Sequence, residues 1–178
     1  MAARASTILA KGGNGVLTHS RRVAELVGHV LECEPRLGGG LSRETVVLAA
    51  FLHDLGKSAW AGDLFTAPLH ELGQAARDAM RAHPLVGADL AASLGVTPDV
   101  RALIAQHHER AGGAAYPRGV TDPHPAALLI GACDAFCACL EARPYRPEPL
   151  PVYEALREAA KVGAPEVVEL LSDLPHGL

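Results

Sequence analysis

The stretch Leu128-Leu129-Ile130-Gly131-Ala132-Cys133-Asp134-Ala135-Phe136-Cys137-Ala138 is apolar on every side of a helix, yet it carries a carboxylate at its centre. A helix with that pattern is buried all round. A carboxylate inside it is costly unless it is paired or bound to metal. A helical partner would sit one turn away at 130, 131, 137 or 138, and no Lys or Arg stands there. The partner of Asp134 therefore comes from elsewhere in the fold. A second run of this kind, Val46-Val47-Leu48-Ala49-Ala50-Phe51-Leu52, ends in His53-Asp54 and poses the same problem. Lys57 offers Asp54 a local salt bridge as the simpler answer.

Outward from these two runs, period-3.6 patterns dominate and no alternating strand stands out. Helices are expected over 17–34, 43–54, 69–82, 85–94, 98–109, 126–140, 152–161 and 165–171. Ser42 is a good N-cap for the second of these. Thr97-Pro98 opens another, with proline at its first position. Gly56 is expected to end the helix before it. His83-Pro84 is expected to break or kink the chain. The fold class is all-α, a compact bundle of about seven helices. Residues 1–14 are expected as a flexible lead-in, and 15–178 as a single domain.

The 178 residues suit one core, and the apolar fraction of 49% with 20% charged residues is ordinary for a globular protein. A net charge of −4 provides no global field for a DNA or RNA polymer. No run reaches the ~18 apolar residues of a membrane span, and no signal peptide is evident. A cytoplasmic protein is expected. Cys33, Cys133, Cys137 and Cys139 include three within one helical pattern, which suits reduced core thiols better than disulfides.

The histidines carry the chemistry. His107 and His108 follow Leu103 and Ile104 by one turn and extend that apolar stripe. His19 lies on the apolar face of the first long helix, one turn before Val23. His83 sits at the helix break. One such histidine is usually a satisfied core residue. Taken together with His53, Asp54 and Asp134, they make seven buried ionisable groups without a matching set of buried cations. Divalent metal would turn that desolvation cost into coordination. Imidazole with carboxylate and no thiolate suits iron, manganese, zinc, cobalt or nickel. His29, His70, His124 and His176 are read as surface residues.

These residues, in this order, resemble the HD superfamily of metal phosphohydrolases and, within it, the HD-GYP family. The family pattern of a first His, HDxGK, HPxxG, HHE, a DGxGYP loop, ADxxDA and RPYR finds its counterparts in sequence. They are His19, His53-Asp54-Leu55-Gly56-Lys57, His83-Pro84-Leu85-Val86-Gly87, His107-His108-Glu109, Gly112-Gly113-Ala114-Ala115-Tyr116-Pro117, Cys133-Asp134-Ala135-Phe136-Cys137-Ala138 and Arg143-Pro144-Tyr145-Arg146. The resemblance implies two divalent transition metals, iron or manganese first. His19, His53, Asp54 and Asp134 would hold one. Asp54 would bridge to a second held by His83, His107 and His108. A bridging water, with its pKa lowered toward ~7, would attack phosphorus. Lys57 would stabilise charge in the transition state, and Tyr116, Arg143 and Arg146 would hold a nucleotide.

The implied substrate is cyclic di-GMP, opened to the linear dinucleotide by a phosphodiesterase. The sequence departs from the pattern at several points. Gly15 stands where some members carry a Glu that adds a third metal. Gly112 and Ala115 replace an Asp and a Gly of the DGxGYP loop, and Cys137 replaces the second Asp of ADxxDA. The altered loop keeps two other readings open. One is a phosphohydrolase for another nucleotide or phosphoester. The other is a non-catalytic nucleotide-binding or scaffold module. A homodimer through the terminal helices, or regulation by a separate signalling partner, would suit either.

Overall fold

A computed structural model describes residues 2–11, 15–60, 68, 71–113 and 115–174. Eight α-helices lie among the described residues: α1 (Ala2–Lys11), α2 (Val16–Cys33), α3 (Arg43–Leu52), α4 (Gln74–Ser93), α5 (Pro98–Gln106), α6 (Pro125–Leu140), α7 (Val152–Ala160) and α8 (Pro165–Ser172). Short 3-10 turns follow α2 and α3, at Pro35–Gly38 and Leu55–Ala59. The described residues contain no strand, so the all-α expectation holds. Among the described residues, extended backbone pairs in one isolated bridge, between Arg143 and Arg146.

α6 is the central element, as its sequence requires, with both apolar faces covered from Ala126 to Cys139. α2 and α7 pack along it, α3 lies against α2, and α5 packs on α3 and α4. Val23, Val27, Val46, Ala49, Ala50, Leu52, Leu103, Ile104, Leu129 and Ile130 are almost completely removed from water. At ~25 cal/mol per Å2 this burial is the main force holding the bundle.

Four expectations are corrected. The lead-in is helical through Ala2–Lys11, because Ala5 and Leu9 are one turn apart and both buried against the bundle. Residues 69–70, where a helix was expected to start, lie outside the described residues, and α4 begins at Gln74. That helix runs through Pro84 to Ser93 without the expected break. Pro84 has no N–H for the carbonyl of Met80, but the His83 Nδ1 donates to that oxygen at 2.6 Å and replaces the missing bond. Gly56 is not a left-handed helix terminator, since it is absent from the positive-φ glycines. It allows close approach instead: a Cβ there would lie 2.1 Å from the His83 carbonyl oxygen and 2.8 Å from the Gly87 nitrogen.

Ser42 caps α3 as expected, accepting from the Thr45 N–H at 3.3 Å. His29 is exposed as expected. His124 has a structural role instead: it is half-buried at the N-cap of α6, where its Nδ1 accepts from the Ala126 N–H at 3.2 Å. His70 and His176 lie outside the described residues.

Candidate metal centre

Three histidines of the site stand at interruptions of helices, and each solves the same local problem. A helix end leaves carbonyls without intrahelical donors. His53 follows the last residue of α3 and its Nδ1 donates to Ala50 O at 2.7 Å. His107 follows α5 and its Nδ1 donates to Ile104 O at 2.7 Å. His83 makes the equivalent bond to Met80 where Pro84 opens the ladder. In each case Nδ1 carries a proton and donates it to the backbone, which directs Nε2 inward. Backbone bonds of this kind fix the tautomer and direction of metal-binding histidines.

The helix interruptions meet because small residues allow it. Gly56 and Gly87 bring the turn after α3 onto α4. Gly131 brings α6 onto the end of α5, where a Cβ would lie 2.4 Å from His107 O. The result is a buried cluster. His19, His53, Asp54, His83, His107 and Asp134 all have relative exposures of 7% or less, while His108 is half-buried and faces the cleft.

His83 Nε2 and His107 Nε2 are 3.2 Å apart. Burial, joined by Lys57 for His83 and by other imidazoles for His107, lowers both pKa values. His108 is also held well below the usual range by burial and by His107 and His83. Two neutral rings whose protons are committed to Nδ1 thus face each other through lone pairs.

On the other side the charges are different. His19 Nε2 lies 2.9 Å from Asp134 Oδ1, and its Nδ1 lies 3.0 Å from Glu141 Oε2. Burial would lower His19, but Asp134 and Glu141 outweigh it and raise its pKa. Burial likewise opposes the charge on His53, yet Asp54 and Asp134 push it up to about 10. Burial alone would raise the two aspartates. His53 and Lys57 hold Asp54, and His19 and His53 hold Asp134, well below the usual carboxylate range.

Asp54 joins the two sides. Its Oδ2 lies 2.5 Å from Lys57 Nζ and 3.4 Å from His53 Nε2, while its Oδ1 lies 3.3 Å from His83 Nε2. His53 Nε2 and Asp54 Oδ1 are buried without a hydrogen-bond partner. Such groups are costly to bury unsatisfied. The donor set fits divalent metal: potential ligand atoms of His19, His53 and Asp54, of His53, His107 and Asp134, and of His83, His107 and His108 form triplets within 4.8 Å.

His19, Asp54, His83, His108 and Asp134 of this cluster line a cleft of about 530 Å3. Lys57, Trp60 and Tyr116 line one part of it, and Arg143, Tyr145 and Arg146 another. The Tyr116 ring lies 4.7 Å from that of His108, and its hydroxyl donates to Met80 Sδ at 3.6 Å. Lys57 Nζ is 5.7 Å from the Trp60 ring centre. Arg143 is paired with Glu141 at 3.1 Å.

Arg146 also has a structural role. Its guanidinium donates to the carbonyls of Ala138, Cys139 and Glu141 and caps the end of α6. It lines the cleft while serving chiefly as a helix cap.

Two carboxylates near the site were not singled out from the sequence. Glu109 is 1% exposed and accepts from the N–H groups of Arg118 and Val120 at 2.8 and 3.0 Å. It thereby pins the loop that carries Tyr116. Its signal was a carboxylate directly after two core histidines. Glu141 had no comparable local signal, because its contact with His19 spans 122 positions.

The HD domain model matches residues 16–139, and the chain belongs to that family. It is 37% identical over 142 residues to the cyclic di-GMP phosphodiesterase response regulator RpfG of Xanthomonas campestris, covering 76% of this chain and 35% of that protein. It is 33% identical over 162 residues to a cyclic di-GMP phosphodiesterase of Thermotoga maritima, covering 85% and 42%. A 3'3'-cGAMP-specific phosphodiesterase of Vibrio cholerae is 31% identical over 110 residues, covering 61% of this chain and 24% of that protein. The matches thus span about a quarter to two fifths of the length of these curated relatives.

Among solved structures, the Bd1817 HDG"Y"P protein of Bdellovibrio bacteriovorus superposes with a TM-score of 0.67 at 22% identity, covering 88% of this chain and 51% of that one. The HD domain of the phosphodiesterase PgpH of L. monocytogenes gives 0.64 at 17%, covering 93% of both chains. These two likenesses concern the fold. No helix among the described residues is long and apolar enough to cross a membrane.

Proposed function

We propose that the protein is a metal-dependent phosphodiesterase acting on a cyclic dinucleotide, with cyclic di-GMP as the first candidate. The observation that carries this reading is the lone-pair geometry at the floor of the cleft. His83 and His107 turn their Nε2 atoms toward each other at 3.2 Å, beside the buried, unpartnered His53 Nε2 and Asp54 Oδ1. Bound cations would satisfy these four atoms.

His19, His53, Asp54 and Asp134 would hold one divalent metal, and Asp54, His83, His107 and His108 a second, with iron or manganese favoured. Such a pair supplies Lewis-acid activation of water and of the phosphoryl oxygen. The chain's own residues do the rest. Lys57, already held against Asp54, offers positive charge to a phosphate as negative charge develops on it. Arg143 offers a guanidinium for a phosphate or a guanine edge. Tyr116 offers a ring beside His108 for a base. The two cyclic di-GMP phosphodiesterases among the relatives favour that substrate, and the 3'3'-cGAMP enzyme widens the class to cyclic dinucleotides.

The test is turnover by manganese- or iron-loaded protein of cyclic di-GMP, 3'3'-cGAMP, cyclic di-AMP, nucleoside phosphates and a chromogenic phosphodiester. Ring opening of cyclic di-GMP to the linear dinucleotide is the expected result. Turnover of another phosphoester alone would move the substrate. Tight nucleotide binding without turnover of any of them would replace the enzyme with a receptor or scaffold.

A further inference from the structure

His19 differs from His53, His83 and His107 in one respect. It lies inside α2, where the helix supplies donors to its own carbonyls, so its Nδ1 has no free backbone oxygen within its own turn. It needs a side-chain acceptor, and Glu141 Oε2 stands there at 3.0 Å. Glu141 leaves the end of α6 in extended backbone, which lets it reach back across the mouth of the site. Its carboxylate side chain is 12% exposed.

The position one turn before Glu141 is Cys137, where the resemblance has an aspartate. The Cys137 thiol is buried and pushed up to about 12 by burial and by Asp134, so it offers no anionic acceptor. Glu141 also faces Arg143 Nη2 at 3.1 Å and Arg22 Nη1 at 3.5 Å. Arg22 is 57% exposed, and a pair of that kind contributes little. The buried contact, and the one that constrains geometry, is with His19.

We propose that Glu141 is a positioning residue. It holds the His19 ring with Nδ1 protonated and Nε2 directed to the same point as Asp134 Oδ1, supplying from position 141 the acid that is missing at 137, and it ties that ligand to the cleft arginine Arg143. The proposal rests on the metal-dependent reading above. An imidazole hydrogen-bonded to a carboxylate in this way is held in its ligating tautomer and made more basic, and loss of such a partner costs ~10–100-fold in metal affinity.

The experiment titrates manganese and zinc into the 178-residue chain, wild type, Glu141→Ala and Glu141→Gln, with melting curves to establish that each variant folds. Two equivalents are expected in the wild type. Glu141→Ala should weaken one equivalent by ~10–100-fold and leave the other unchanged. Glu141→Gln, whose amide oxygen still accepts from Nδ1, should stay within a few-fold of wild type. In turnover, Glu141→Ala should lower kcat through His19 and raise KM through the released Arg143.

Wild-type affinity for both equivalents in Glu141→Ala would overturn the proposal. Equal weakening of both, as a general loss of structure would give, would also overturn it. A wild type that binds no metal would instead sink the reading beneath it. The His19 Nδ1 proton resonance then decides: slow exchange in the wild type and loss in Glu141→Ala supports the positioning role, and an unchanged resonance ends it.

Discussion

The two sides of the candidate metal centre are built in opposite ways. On the side of His83 and His107, each ring is fixed by a bond to a carbonyl three residues back in its own chain. These rings are neutral and surrounded by other imidazoles, and burial drives their pKa values down. On the side of His19, the ring is fixed by two carboxylates more than a hundred positions away, which drive its pKa up. The first side is a set of local solutions assembled by close packing. The second exists only once α6 has docked. Asp54 belongs to both, and its two oxygens divide between them.

The strongest way to break this comparison is to remove the shared residue. Asp54→Ala should eliminate turnover and uptake of metal at the shared position, measured by product formation and metal content. Full activity in that variant would mean that the two sides do not form one site.

Next in size is the packing that assembles the local side. Gly56→Ala places a methyl against the His83 carbonyl. It should cost about 3 kcal/mol, and on the ~2–4 °C per kcal/mol expected for a chain of this length the melting temperature should fall roughly 6–12 °C. A melting temperature within a degree of wild type would show that the turn after α3 can move off α4 at no cost.

The smallest effects separate two arginines on the long-range side. Arg146→Ala removes the guanidinium donors to the Ala138 and Cys139 carbonyls of α6 and to that of Glu141 just beyond it. It should destabilise the fold by about 1–2 kcal/mol in denaturant unfolding, with KM little changed. Arg143→Ala should do the reverse, raising KM several-fold with stability within ~0.5 kcal/mol. If Arg146→Ala altered KM more than stability, the guanidinium would belong to substrate after all.

The ligand candidates were legible because an ionisable side chain on an otherwise apolar helical face has few explanations. Asp134 in α6 and His53-Asp54 at the end of α3 are such cases, and the structure brings both to one point. The all-α class followed from the same periodicity. Other features were hidden. The sequence gives Pro84 as a breaker, but whether a helix survives depends on what takes the freed carbonyl, and His83 takes it. Gly56 reads equally well as a terminator or as a contact point until the partner backbone is known. Arg146 has the composition of a phosphate ligand, and only the position of the α6 terminus reveals a cap.

The sequence by itself determined that this chain is helical and that a set of imidazoles and carboxylates must be buried with it, because periodicity fixes which face of each helix leaves water. Only the tertiary structure decided which nitrogen each ring presents, which carboxylate supports His19, and which arginine caps α6. Those choices depend on distances between helices remote in sequence, and no local pattern of residues encodes such distances.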